Sequence, residues 1–171
     1  INREKLSTNI LTARKKLIHD LLSKEGEENL GYALDKYPPE RSIFLSFIQE
    51  QGMYRENRVC MPEKDSTLYP LAEAGMEFLK SCSLGKRNLA ELHRIYSAPP
   101  FKLKRGLQDY WIPLLLIAHR FDIGLYHENG EFIPYLSEDI LDRIHKKPQD
   151  FLLRFYAENP VEEDQLHSYL Q

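Results

Sequence analysis

The chain has 171 residues, 42% hydrophobic and 29% charged, with a net charge of −3 and a pI of about 6.1. That composition supplies a packed core and excludes a disordered chain, while the acidic balance confines any nucleic-acid contact to a local patch. Cys60 and Cys82 are the two cysteines and form no CxxC pair, which excludes a disulfide framework and fits a reducing, cytoplasmic setting.

The longest apolar run, "WIPLLLIA", is far too short to span a bilayer, so no membrane partner is expected. No signal-peptide pattern opens the chain. It begins at Ile1 rather than at a methionine, which reads as a piece of a longer protein.

The spacing from Arg3 to Lys24 predicts a helix with Leu6, Ile10, Ala13, Leu17 and Leu21 on one face. Arg14, Lys15, Lys16 and Lys24 fall off that stripe. Gly26 and the acidic "EGEEN" end the helix and read as a solvated run, with a short element over Leu30–Leu34. In "YPPERSIFLSFIQEQG", Pro39 suits a first helical turn, Glu40 suits the positive helix N-terminus, and Gly52 suits the position just past the end. Ile43, Phe44, Phe47 and Ile48 form its buried face. "YRENRVCMPEKDST" reads as a short strand and loop. A boundary near 57–67 divides an N-terminal helical part, 1–57, from a second part, 68–157, and 158–171 reads as the start of a further helix.

In the second part, Leu71, Ala74, Phe78 and Cys82 follow helical spacing, which makes Cys82 an inert buried thiol. Gly85 reads as a helix C-cap. Asn88 with Glu91 forms a capping-box-like start for a helix carrying Leu89, Leu92, Ile95 and Tyr96, and "APP" stops it. The next helix runs from about Leu107 or Asp109 to Arg120; Pro113 removes a backbone bond if it starts early, so a start near Asp109, or a mild kink, is expected. "IGLYHENGEFIPYL" reads as a hairpin with a type I′ turn at Asn129-Gly130. Ser137 caps a helix that opens with Glu138 and Asp139, closes with Arg143, His145, Lys146 and Lys147, and stops at Pro148. "FLLRFYA" reads as another strand.

Helix, Pro-rich turn, helix and hairpin, over 68–135, are the element order of a winged helix-turn-helix. The expected fold class is therefore mainly α with a small β-hairpin, a winged helix-turn-helix plus flanking helices. In such a module the second helix's N-terminus and the wing approach a duplex. The candidate nucleic-acid-binding residues are Lys102, Lys104 and Arg105 before that helix, Lys86 and Arg87 before the first helix, and Asn129 in the wing. The second helix argues against base reading. Tyr110, Trp111, Ile112 and the run Leu114 to Ala118 surround its axis, and a helix apolar all round is buried. Its first turn, around Gln108 and Asp109, remains for polar contacts.

"SLGKRN" lacks the spacing of a phosphate-binding loop, and there is no GxSxG. None of the six histidines lies three or four residues from another His or a Cys. No catalytic residue, metal or cofactor is expected.

"YPPERSIFLSFIQEQGMYRENRV" and "LAELHRIYSAPPFKLKRGLQDYWIPLLLIAHRFDIGLYHENGEFIPYLSEDILDRIHKKPQDF", in that order over roughly 30–155, resemble a region of very large bacterial ATP-binding proteins. These are multidomain ATPases encoded in anti-phage defence islands, including the bacteriophage-exclusion type. The resemblance implies a non-catalytic winged-helix region whose nucleotide site lies elsewhere in the parent protein. The partners it implies are the parent's other domains. Double-stranded DNA, met through the basic turn and wing, is the alternative.

Overall fold

The structure, a computed structural model, describes residues 2–156, with side chains from Thr12 onward. The side chains of Leu6 and Ile10, and the helix start expected at 158–171, therefore lie outside what is described. Helix (about 52%) outweighs strand (12%) more than fourfold, so the core is built mainly by helix packing.

Helix α1 (Asn2–Ser23) leads through a 3-10 turn (Glu28–Gly31) to α2 (Pro39–Ile43), which runs on as a π-helical stretch, Phe44–Gln49. A small hairpin of β1 (Tyr54–Arg55) and β2 (Arg58–Val59) follows, then α3 (Tyr69–Ser81), β3 (Arg87–Asn88), α4 (Leu89–Ser97) and α5 (Arg105–Ala118). The chain continues through β4 (Ile123–His127), β5 (Phe132–Ile133), α6 (Glu138–Lys146) and β6 (Phe151–Phe155). Among the described residues no helix is long and apolar enough to cross a membrane.

Two caps stand where the sequence puts them. Asn88 Oδ1 accepts from Ala90 N at 2.8 Å, and Ser137 Oγ accepts from Ile140 N at 3.2 Å; each such cap is worth about 1 kcal/mol. Glu91 does not close a capping box, because its carboxylate takes Arg87 Nε at 2.6 Å. In α3 the deeply buried set is Ala72, Gly75, Phe78 and Leu79, followed by Cys82, while Leu71 and Ala74 are only partly covered.

Helix α5 begins at Arg105, not near Asp109, and carries Pro113 in its interior. A mid-helix proline costs about 3 kcal/mol. Against that, Trp111, Ile112, Leu114, Leu115, Leu116 and Ile117 are each at most 2% exposed, and each such burial returns about 1.5–3 kcal/mol. Packing therefore outweighs the lost bond.

The type I′ turn expected at Asn129-Gly130 is not there, and the stretch read as a short strand and loop holds a hairpin of its own. The loop at Glu128–Gly130 has three residues: Gly130 N donates to His127 O and His127 N to Glu131 O, both at 2.8 Å, and Gly130 has φ +94. This is a type I turn with a glycine bulge, because the register Tyr126↔Phe132 leaves too many residues for a two-residue loop. The two-residue turn with positive φ at both positions is Glu56-Asn57, at 54° and 59°.

The larger sheet is fully antiparallel, in the order β3-β6-β4-β5. Strand β6 enters after α6 and pairs on both sides, Leu153 facing Arg87 on one and Leu125 on the other. The hairpin β4–β5 thus meets β3 only through β6. One continuous core runs from Leu17 through Met53, Phe78 and the α5 residues to Phe155. Helix α1 packs on α2, α5 and α6 within this core. Arg14, expected on the open side of α1, is 4% exposed and faces α5.

Candidate nucleic-acid interface

The turn joining α4 to α5 is held from inside. Phe101 N and Lys102 N both donate to Ala98 O, at 3.1 and 3.0 Å, and Leu103 N donates to Tyr96 O at 2.7 Å. Gln108, 4% exposed, donates its amide to Leu103 O at 2.6 Å and Ser97 Oγ at 2.9 Å. Gln108 is therefore not free for outside contacts, although the first turn's polarity suggests that it is, while Arg105, Gly106 and Leu107 of the same turn stay exposed. Gln108 is a structural tie, left polar because it satisfies a buried carbonyl.

Lys102, Lys104 and Arg105 project from this turn and are exposed. Lys102 takes a left-handed backbone, φ 44, and Lys104 is the N-cap residue of α5. Arg105 Nη2 donates to His145 O at 3.4 Å, which brings the turn beside the C-terminal end of α6. There, Lys146 pairs with Asp142 at 3.0 Å and Arg143 with Asp139 at 3.2 Å. The end of α6, and not the hairpin tip, is thus the basic turn's neighbour.

Lys86 and Arg87 lie at the other end of α4, about 13 Å away along the helix axis. Arg87 is half-buried: Nε meets Glu91, Nη1 meets Ser81 Oγ at 2.5 Å, and the guanidinium lies 4.7 Å from the Phe78 ring centroid. Its donors serve the fold. Lys86 is exposed and sits 3.8 Å above the Tyr126 ring. Asn129, at the hairpin tip, uses Oδ1 to accept from Glu131 N at 3.0 Å. The six candidates therefore fall into three separate places.

The polar side of α5 faces inward. Asp109 stands 3.9 Å from the Arg14 guanidinium and 2.7 Å from His145 Nδ1. Burial, then the Arg14 charge, holds the His145 pKa below its ordinary value, against the opposing pull of Asp109. Sequence spacing does not show this cluster, since its members come from three helices.

A further cationic cleft of about 560 Å³ lies between α1 and the segment before α2, with Lys15, Lys16, Lys24 and Lys36 around it. Carboxylates share the cleft with these lysines: Asp20 lies 3.7 Å from Lys24, Glu138 lies 2.9 Å from His19, and Glu40 also lines it. Among the described residues no group of three His, Cys, Asp or Glu side chains could hold a metal ion. No family model, curated protein or solved structure matches the chain.

Proposed function

We propose that this chain is a non-catalytic interaction domain of a larger bacterial ATP-dependent protein directed at DNA in phage defence. In this reading α3, α4, α5 and the β4–β5 hairpin form a winged helix-turn-helix whose second helix serves packing, and the protein works in the cytoplasm. The observation that carries the reading is the burial of α5 from Trp111 to Ile117. A helix enclosed by its own chain has no face left to read base edges in a major groove. The expected outcome is that the purified chain hydrolyses no ATP and binds unrelated duplexes with equal affinity. Turnover by the chain alone, or a preferred duplex sequence, would overturn it.

A second reading is favoured by three exposed cations on one rigid turn: Lys102, Lys104 and Arg105 contact duplex phosphates. Fluorescence anisotropy with a labelled duplex across a salt series tests it. The double variant Lys104→Glu/Arg105→Glu is expected to weaken binding on every sequence and to flatten the salt dependence. Unchanged binding would remove this assignment and leave the packing role.

A further inference from the structure

Strand pairing sorts the larger sheet's side chains onto two faces. Phe151, Leu153 and Phe155 of β6 are buried in the core with Leu125 of β4. On the outer face, Arg154 stands opposite Gly124, and Leu152 opposite Tyr126, which in turn faces Phe132. Because Arg87 pairs with Leu153, Lys86 falls on the outer side beside Arg154.

The result is a row of rings edged by cations. The Tyr126 and Phe132 centroids lie 5.4 Å apart, and the Tyr126 and Tyr156 hydroxyls meet at 2.5 Å. Lys86 Nζ sits 3.8 Å from the Tyr126 centroid, and the Arg154 guanidinium 5.2 Å from that of Tyr156. Phe132 is 56% exposed and Tyr156 49%. Gly124 makes the arrangement possible, since a Cβ there would lie 2.7 Å from Tyr156 Cε2 and push the ring off the sheet. None of the strand residues on this face is acidic.

We propose that this face is a stacking platform for the bases of a single-stranded nucleic acid, with Lys86 and Arg154 meeting its phosphates. Exposed rings on a sheet with a cationic margin offer π-faces to unpaired bases, whereas a duplex keeps its bases stacked on each other. An exposed cation–π contact is weaker than a base-on-ring stack, so the long Lys86 side chain yields the ring and turns to a phosphate. The platform goes beyond the packing role proposed for the helix-turn-helix and is separate from the α4–α5 turn.

The test is fluorescence anisotropy of the full 171-residue chain with a labelled oligothymidine of about 12 nucleotides, and with a duplex of equal length, across a salt series. The single strand is expected to bind more tightly than the duplex. Tyr126→Ala and Tyr156→Ala should each weaken it about tenfold, while Tyr126→Phe and Tyr156→Phe, which keep the rings, should retain it. Lys86→Glu with Arg154→Glu should reduce the salt slope by about 1.4. Lys104→Glu/Arg105→Glu should leave single-strand binding unchanged, which separates this site from the duplex reading. Absence of single-strand binding at low salt overturns the proposal. So does tighter duplex binding, or affinity that survives loss of the rings in a chain with unchanged melting temperature. A loss as large in the Phe variants as in the Ala variants overturns it too, because it would show a structural role for the hydroxyl pair.

Discussion

At the residue scale, the polar side chains that hold the molecule together are those that look most dispensable as sequence. Arg14 lies among lysines, and Glu25 belongs to the acidic run "EGEEN". Folded, the Arg14 side chain is 5% exposed against Asp109. Glu25 accepts from Arg120 Nη2 at 2.5 Å and Nη1 at 3.0 Å, a two-pronged pair between the end of α1 and the end of α5. Local spacing cannot reveal such pairs, because each partner is supplied by a distant helix. Removing one member leaves a buried charge without its answer, which costs about 3–5 kcal/mol. Asp109→Ala is therefore expected to lower unfolding free energy in urea by about 3 kcal/mol. Arg14→Met combined with Asp109→Ala should cost less than the sum of the single changes, and strict additivity would show that the two residues are not coupled.

At the scale of elements, packing decides what propensity leaves open. Caps at Asn88 and Ser137 were legible because a cap is a local device, made within three residues. The start of α5 was not legible, because the apolar surroundings that offset Pro113 come from other elements. Gly75 is a further case. It lies mid-helix in α3, where a Cβ would stand 2.8 Å from both Leu115 Cδ1 and the Tyr96 hydroxyl. That hydroxyl donates to Leu71 O at 2.6 Å and has little room to move. Gly75→Ala is expected to destabilise by about 1–3 kcal/mol despite alanine's better helix propensity. Gly85 is the contrast. It is not the helix C-cap its position suggests, since α3 already ends at Ser81 and Gly85 has no positive φ. With nothing within 4 Å of a Cβ there, Gly85→Ala should leave the melting temperature unchanged.

At the scale of the whole molecule, burial sets the response to pH and to thiol reagents. His93, His119 and His145 all have pKa values lowered from the ordinary 6.5, in each case chiefly by burial. A histidine depressed in the folded state binds fewer protons there than in the unfolded chain. Stability is thus retained above pH 6.5 and lost as the pH falls below it. A urea midpoint at pH 5.5 equal to that at pH 7.5 would contradict this. Cys82 is fully buried and its thiol is pushed up to about 11, so the native chain should offer a disulfide reagent at most one thiol, Cys60. Denaturation should release the second. The α-dominant class and the order of the helices were legible because each rests on periodicity along the chain, whereas the two-residue strand β3 and the small β1–β2 hairpin are too short to show a period. The sheet order was not: "FLLRFYA" shows a strand, but nothing local tells it to insert between two others.

That insertion also dictates when the sheet can exist during synthesis. With residues up to Asp150 made, β3 and β4 both present open edges toward the place where β6 will lie. The longest pairing in the sheet, Ile123–His127 against Phe155–Phe151, cannot form until residue 155 has left the ribosome. A nascent chain paused before that point exposes unpaired amides and carbonyls on two strands at once. Completion by the last of the described strands is a slow, non-local step, and the waiting edges are where a stalled or prematurely ended chain would capture a neighbour.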